Sequence, residues 1–221
     1  MDWSAPVDIY CERTDASFWS EPLNAVSNLA FILAALWASR EACRRGIGRA
    51  SVWLLIALAF VIGTGSFLFH TFATRWAGMA DTLPILIFIL AYAVTALALI
   101  GHATPERVTL YTVTMAGFFT ATGFGIAQLN LDLNGTEGYL PALAAMIVIS
   151  ALTWSRSHPA TPWFVGATLT FALSLTFRSF DMALCDVWPY GTHVFWHLLN
   201  GTVIALLLQA LIRNTTRTEH P

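Results

Sequence analysis

Apolar runs close to the ~20 residues needed to cross a hydrocarbon core recur along the whole chain, and nothing else constrains its folding as strongly. They fall at about 23–40, 51–72, 78–100, 108–129, 139–155, 161–180 and 190–212. In lipid every backbone N–H and C=O must find a partner within its own segment, so separate runs of this length predict helices. Composition points the same way. Apolar residues make up 57% and charged residues 11%, with a mean hydropathy of +0.64, whereas soluble domains carry about 25% charged residues. The expected fold class is an all-α integral membrane protein, a bundle of seven transmembrane helices. The sixth run is the weakest, because it ends in the polar stretch Arg178–Asp181. The expected organisation is an extracytoplasmic segment 1–22, a transmembrane domain 23–212 and a cytoplasmic tail 213–221, with no inserted soluble domain.

The charges set the orientation. Net charge is −2, so there is no basic footprint for nucleic acid. The first residues lack a basic stretch followed by an apolar core, and no cleaved signal is expected. All 11 cations are arginine, a bias that points to a bacterial inner membrane. With the N-terminus outside, Arg40, Arg44, Arg45, Arg49, Arg107, Arg156, Arg213 and Arg217 fall inside. Only Arg13, Arg75 and Arg178 then fall outside, as the positive-inside rule requires. Asp2, Asp8, Glu12, Asp15, Glu21, Asp132, Glu137 and Asp186 gather outside. Trp3, Trp19, Trp76, Trp163 and Trp188 fall near span ends, as an interfacial belt does.

Ionisable groups inside a span cost about 2.5–3.5 kcal/mol each on insertion scales and are functional candidates by default. Ser66 and His70 lie late in the second span, Asp81 early in the third, and His193 and His197 early in the seventh. Under the orientation set by arginine alone, all five reach the same, outer level of the bilayer. His193 and His197 are spaced i, i+4, which projects both rings from one helix face. That is the spacing of helical zinc sites, with His70 as the third ligand. Three histidines leave a tetrahedral zinc one position for water. Asp81 is then suited to general acid–base work and Ser66 to donating a hydrogen bond to an oxyanion. The bland alternative for a single intramembrane histidine is an interhelical hydrogen bond. His102, His158 and His220 read as ordinary loop residues. Gly63 and Gly65 permit close helix packing or leave room for an acyl chain. Asp181 reads as structural, pairing with Arg178 or steadying the metal shell.

These residues carry a resemblance to the alkaline ceramidases, within a wider group of seven-span membrane hydrolases. The matching pieces are EPLNAVSN at Glu21–Asn28, GSFLFH at Gly65–His70, Asp81 in MADTLPI, and HVFWH at His193–His197. Their order and spacing follow the family's pattern over essentially the whole chain. The resemblance implies a zinc amidase that splits an N-acyl lipid into fatty acid and amine. In it His70, His193 and His197 match the zinc ligands, and Ser66 and Asp81 the catalytic pair. It also implies a Cys11–Cys185 disulfide on the outside, where oxidation is permitted, and leaves Cys43 as a free thiol inside. The match weakens at the calcium site of animal members. Here Asp8 and Cys11 are separated by one extra residue, and Thr14 followed by Asp15 stands where an asparagine is expected. Asp8, Glu12, Asp15 and Glu21 supply oxygen ligands for Ca2+; a solvated acidic segment explains them equally.

The leading expectation is therefore a zinc-dependent lipid amide hydrolase whose partners are N-acyl lipid and the surrounding membrane lipids. An esterase would use the same site. The alternative is a metal-containing receptor or sensor of the adiponectin-receptor or haemolysin-III type, against which Ser66 and Asp81 argue. A transporter would string charges across the bilayer depth, whereas here they gather at one level.

Overall fold

The structure is a computed structural model that describes residues 2–129 and 133–215. Asp132, Arg217 and His220, used above, lie outside the described residues. Those described fold as helices and turns, with one isolated bridge between Pro6 and Thr74 as the sole β pairing among them. Helices α1 (Pro22–Ser27) and α2 (Leu29–Arg45) form the first rod, broken at Asn28. They are followed by α3 (Ala50–Phe72), α4 (Arg75–Leu99) and α5 (Pro105–Gln128). A 3-10 turn at Thr136–Tyr139 leads into α6 (Leu140–Ser155), then come α7 (Thr161–Phe180) and α8 (His193–Asn214). Each apolar run falls on one of these rods. Proline enters α5, α6 and α7 in the first turn, where its missing N–H has no partner to lose. Helix α2 stops at Gly46, whose left-handed φ of 65° suits glycine.

Among the described residues, five rods are long and apolar enough to cross a membrane: Pro22–Arg45, Ala50–Phe72, Arg75–Leu99, Thr136–Ser155 and His193–Asn214. Helices α5 and α7, of 24 and 20 residues, match them in length and carry many threonines. Thr109, Thr112, Thr114, Thr120 and Thr122 of α5, like Thr170 and Thr176 of α7, return their hydroxyl protons to the carbonyl one turn back. Such back-bonding satisfies the hydroxyl within its own helix.

The packing is inverted relative to a water-soluble bundle. Leu33, Leu54, Leu86, Leu110, Val113 and Leu169 are exposed, while Glu21, Asn24, His70, Asp181, His193, His197 and Gln209 are buried. An apolar exterior over a partly polar interior is the distribution a lipid solvent favours, because polar groups there pair across helices.

The two ends of the bundle differ. At one, Glu41 of α2 receives Arg44 at 2.8 Å and Arg45 at 2.6 Å, and Arg213 of α8 approaches to 3.3 Å. At the other, the N-terminal segment runs across the α3–α4 turn. Val7 N–H donates to the Ala73 carbonyl (2.8 Å), Arg75 N–H to Ala5 (3.1 Å) and Trp76 N–H to Trp3 (3.1 Å). The disulfide between Cys11 and Cys185 ties this segment to the loop before α8, and Cys43 is free and exposed.

Glycine decides how closely α3 can approach its neighbours. A Cβ on Gly63 would crowd Asn28 O (3.2 Å) and Phe31 Cβ (3.1 Å), and one on Gly65 would run into the Ala80 carbonyl. Of the two readings of these glycines, close packing is the one with visible contacts. Gly65 precedes Ser66, and Ala80 precedes Asp81, so the same close approach sets the catalytic candidates side by side. Gly65→Ala is expected to cost at least the 1–3 kcal/mol typical of overpacking, because the obstructing atom is backbone. Gly117→Ala, with nothing within 4 Å of the added carbon, is the matched control. Thermal unfolding in detergent should separate the two clearly.

Candidate metal centre

The late turns of α3, the early turns of α4 and α8, and helix α1 meet beneath the N-terminal segment. His70, His193 and His197 are all buried there, and one ring nitrogen from each lies within 4.8 Å of the others. The i, i+4 pair shares a face of α8, and their rings sit edge to face with centroids 4.6 Å apart.

Hydrogen bonding fixes which nitrogens face the centre. His70 Nδ1 lies 2.6 Å from Glu21 Oε2, while Glu21 Oε1 takes the Arg13 guanidinium at 2.5 Å. A carboxylate paired with arginine accepts, so His70 Nδ1 carries the proton and its Nε2 presents a lone pair. His197 Nδ1 lies 2.7 Å from Ser27 Oγ, and that hydroxyl spends its own proton on the Asn24 carbonyl at 2.9 Å. His197 Nδ1 must then donate, which leaves a lone pair on its Nε2 as well. The two Nε2 atoms face each other at 3.1 Å. Two lone pairs in a buried space repel unless a cation lies between them. Nitrogens sharing a tetrahedral zinc, at the usual bond lengths, are about 3.3 Å apart. His193 Nδ1 is buried with no partner. Three neutral imidazoles, two of them oriented by a carboxylate and a hydroxyl, are the donor set and supporting shell of a catalytic zinc. The residues fit the ion.

Ser66 is buried late in α3, and the close approach of Gly65 to the Ala80 carbonyl brings it beside Asp81 on α4. Tyr10 closes the centre from the N-terminal side. Its ring stacks on His193 with centroids 3.8 Å apart and lies 5.1 Å from that of His70. Burial holds the Tyr10 phenol above its ordinary pKa, so it is a neutral lid.

The four acidic residues considered for calcium are disposed differently. Glu12 accepts the amides of Leu23 (2.7 Å) and Asn24 (2.8 Å) at the start of α1. Burial pushes its carboxyl up from the usual range, and these two amides pull it back. Glu21 is engaged by Arg13, His70 and Asn24. Asp8 and Asp15 are exposed. Among the described residues the four form no cluster of the kind the histidines make. Arg13 instead lies where a cation would serve them. Its three nitrogens reach Glu21, the Asp15 carbonyl (3.0 Å) and the His70 carbonyl (3.0 Å). The Glu21 carboxylate and the Asp15 and His70 carbonyls are therefore engaged by this guanidinium.

The residues with no role assigned from sequence, Tyr10, Arg13, Asn24, Ser27 and Arg178, are the ones that orient or enclose the histidines. One signal was present for two of them. Glu21, Asn24, Ser27 and Asn28 make a polar stripe in an otherwise apolar first run. Asp181 is fully buried and structural, as expected, but it caps α8 rather than pairing with Arg178. Its Oδ1 accepts Thr192 N–H (2.6 Å) and His193 N–H (2.8 Å), and its Oδ2 accepts Cys11 N–H (3.1 Å).

In comparisons with known proteins, the family model described as Ceramidase matches residues 4–221. No curated protein matches.

Proposed function

The chain belongs to the ceramidase family, and on that premise we propose that it is a zinc-dependent intramembrane lipid amide hydrolase, cleaving the N-acyl bond of a ceramide or another N-acyl lipid. Membership itself implies a hydrolase of an amide bond with a lipid substrate. The observation that carries the finer reading is the pair of Nε2 lone pairs of His70 and His197 facing each other at 3.1 Å. Zinc held by His70, His193 and His197 supplies Lewis acidity and a nucleophilic water at neutral pH. Asp81 accepts the proton of the attacking water and returns it to the leaving amine. Ser66 donates to the oxygen of the acyl carbonyl as charge develops there. Close contact between α3 and α4 at Gly65 and Ala80 keeps this pair in place. An apolar cleft lined by Met79, Leu83, Leu86, Ile89, Tyr139 and Ala142 runs along α4 and suits the acyl chain.

In this reading the chain crosses the bilayer seven times, α5 and α7 included. The N-terminal segment 1–22 lies outside, the hydrolase domain covers 23–212, and the tail 213–221 is cytoplasmic. The active site lies near the outer face of a bacterial inner membrane. The uneven distribution of arginine supports this, as do the disulfide at the histidine end and the free Cys43 at the other. The receptor or sensor alternative is not favoured, since the family matched is one of hydrolases.

The test is elemental mass spectrometry of protein purified in mild detergent without chelator, paired with fatty-acid release from a panel of N-acyl lipids. About one zinc per chain is expected. Asp81→Asn should keep the metal and lose activity by at least about a hundredfold, the lower range for general acid–base groups. A folded wild type without metal would overturn the proposal.

Calcium has no part in it. Chelating calcium is expected to leave the unfolding temperature unchanged, whereas Arg13→Ala should lower it. A fall on chelation in the wild type would restore calcium to the N-terminal segment.

A further inference from the structure

Arg178, in the last turn of α7, stands beside the histidine centre and makes no direct ion pair among the described residues. The ion pairs among the described residues belong to Arg13, Arg44, Arg45, Arg213 and His70. Arg178 meets aromatic rings instead. Its guanidinium carbon lies 5.0 Å from the centre of Trp196, 5.6 Å from Tyr139 and 5.7 Å from Tyr10. One terminal nitrogen donates to the Tyr10 hydroxyl at 3.0 Å, and Nε is buried with no partner. Cation–π contacts orient a guanidinium and offset part of its desolvation, but they supply no anionic partner for its N–H groups.

The same rings connect it to the reacting atoms and to the apolar space. Tyr10 stacks on His193, and Trp196 lies on α8 between His193 and His197. Tyr139 and Trp196 also line a second apolar cavity with Phe31, Ile62, Phe88 and Leu207. A guanidinium with a free donor at the head of apolar space is matched by a ligand that has an anionic, planar head and a hydrocarbon tail. Amide hydrolysis generates such a species: water adds its oxygen to the acyl carbon, the C–N bond breaks, the amine leaves with a proton, and a fatty carboxylate remains.

We propose that Arg178 is the carboxylate-binding group of this site, receiving the head of the released fatty acid while its chain occupies the apolar space beside Tyr139 and Trp196. The inference takes the reaction from the function proposed above, but its test depends on neither turnover nor metal.

Binding of palmitate and of hexadecanol to the detergent-purified full chain would be compared, with bound metal present and again after chelation. Wild type is expected to prefer the carboxylate by at least about tenfold in both states, the minimum for a charge-assisted pair out of water. Arg178→Gln should bring the two ligands to equal affinity, and Arg178→Lys should keep a preference. Equal binding of both ligands by the wild type would overturn the proposal. So would a preference that survives in Arg178→Gln, or one that disappears with the metal. Should Arg178→Gln fail to fold, the wild-type ratio after chelation and the behaviour of Arg178→Lys decide. A carboxylate preference in a protein that hydrolyses no amide would uphold this site and remove the proposed activity. Hydrolysis without the preference would do the reverse.

Discussion

His193→Ala is expected to yield folded protein that holds no zinc and hydrolyses N-acyl lipid at least about a thousandfold more slowly, since the metal supplies the nucleophile. The three histidines are not equivalent targets. His70 also orients Glu21 and, through it, Arg13, while His197 is tied to Ser27. Truncating either would leave buried polar atoms without partners, each costing about 1–3 kcal/mol, and would confuse loss of metal with loss of fold. His193 has no such obligation, because its Nδ1 is unpartnered and its ring mainly supports that of Tyr10. Elemental mass spectrometry and the unfolding temperature, measured on one preparation, separate metal loss from unfolding. Full zinc occupancy in this variant would place the metal elsewhere and dissolve the three-histidine centre.

Much of the architecture was legible because a membrane makes sequence and structure correspond simply. Each rod has to satisfy its own backbone, so helix positions could be read from apolar length alone. Even the run ending in Arg178–Asp181 becomes a continuous helix to Phe180. The metal candidates were legible for a related reason. A histidine within an apolar run is costly and therefore conspicuous, and arginine bias alone brought His70, His193 and His197 to one level.

The supporting shell was harder to read. Glu21 was expected among calcium ligands through the resemblance to the calcium site of animal members, whereas it meets His70 and Arg13. Nothing in one-dimensional spacing says that residues 10–13 fold back over helices some sixty and nearly two hundred positions later. Arg13 looked like one of the few misplaced outer cations and instead does a cation's work internally. Arg178 was visible as a polar blemish in a weak span, an outer cation and a candidate partner of Asp181.

The residue that joins fold to site most directly is Asp181, and Asp181→Ala is expected to have the largest effect on stability. Its carboxylate accepts three backbone N–H groups, the buried ones of Thr192 and His193 and the part-buried one of Cys11. Leaving three donors unpaired costs roughly 3–9 kcal/mol at 1–3 each, comparable to the whole stability of a typical domain. Helix α8 then loses the cap at the turn that carries His193. The glycine before that turn belongs to the same design: Gly191 has φ of +65°, and a Cβ there would collide with Asp181 and Cys11. Asp181→Asn is the finer probe. Its amide oxygen can keep Thr192 and His193, but its NH2 group would face the Cys11 N–H, donor against donor. The disulfide still tethers Cys11 to Cys185, so the N-terminal segment should loosen without leaving. Thermal unfolding should then show a moderate loss that deepens sharply with reductant, while zinc stays bound. If Asp181→Ala unfolds no earlier than wild type, the cap is dispensable. The N-terminus of α8 would then owe its position to the metal and not to Asp181.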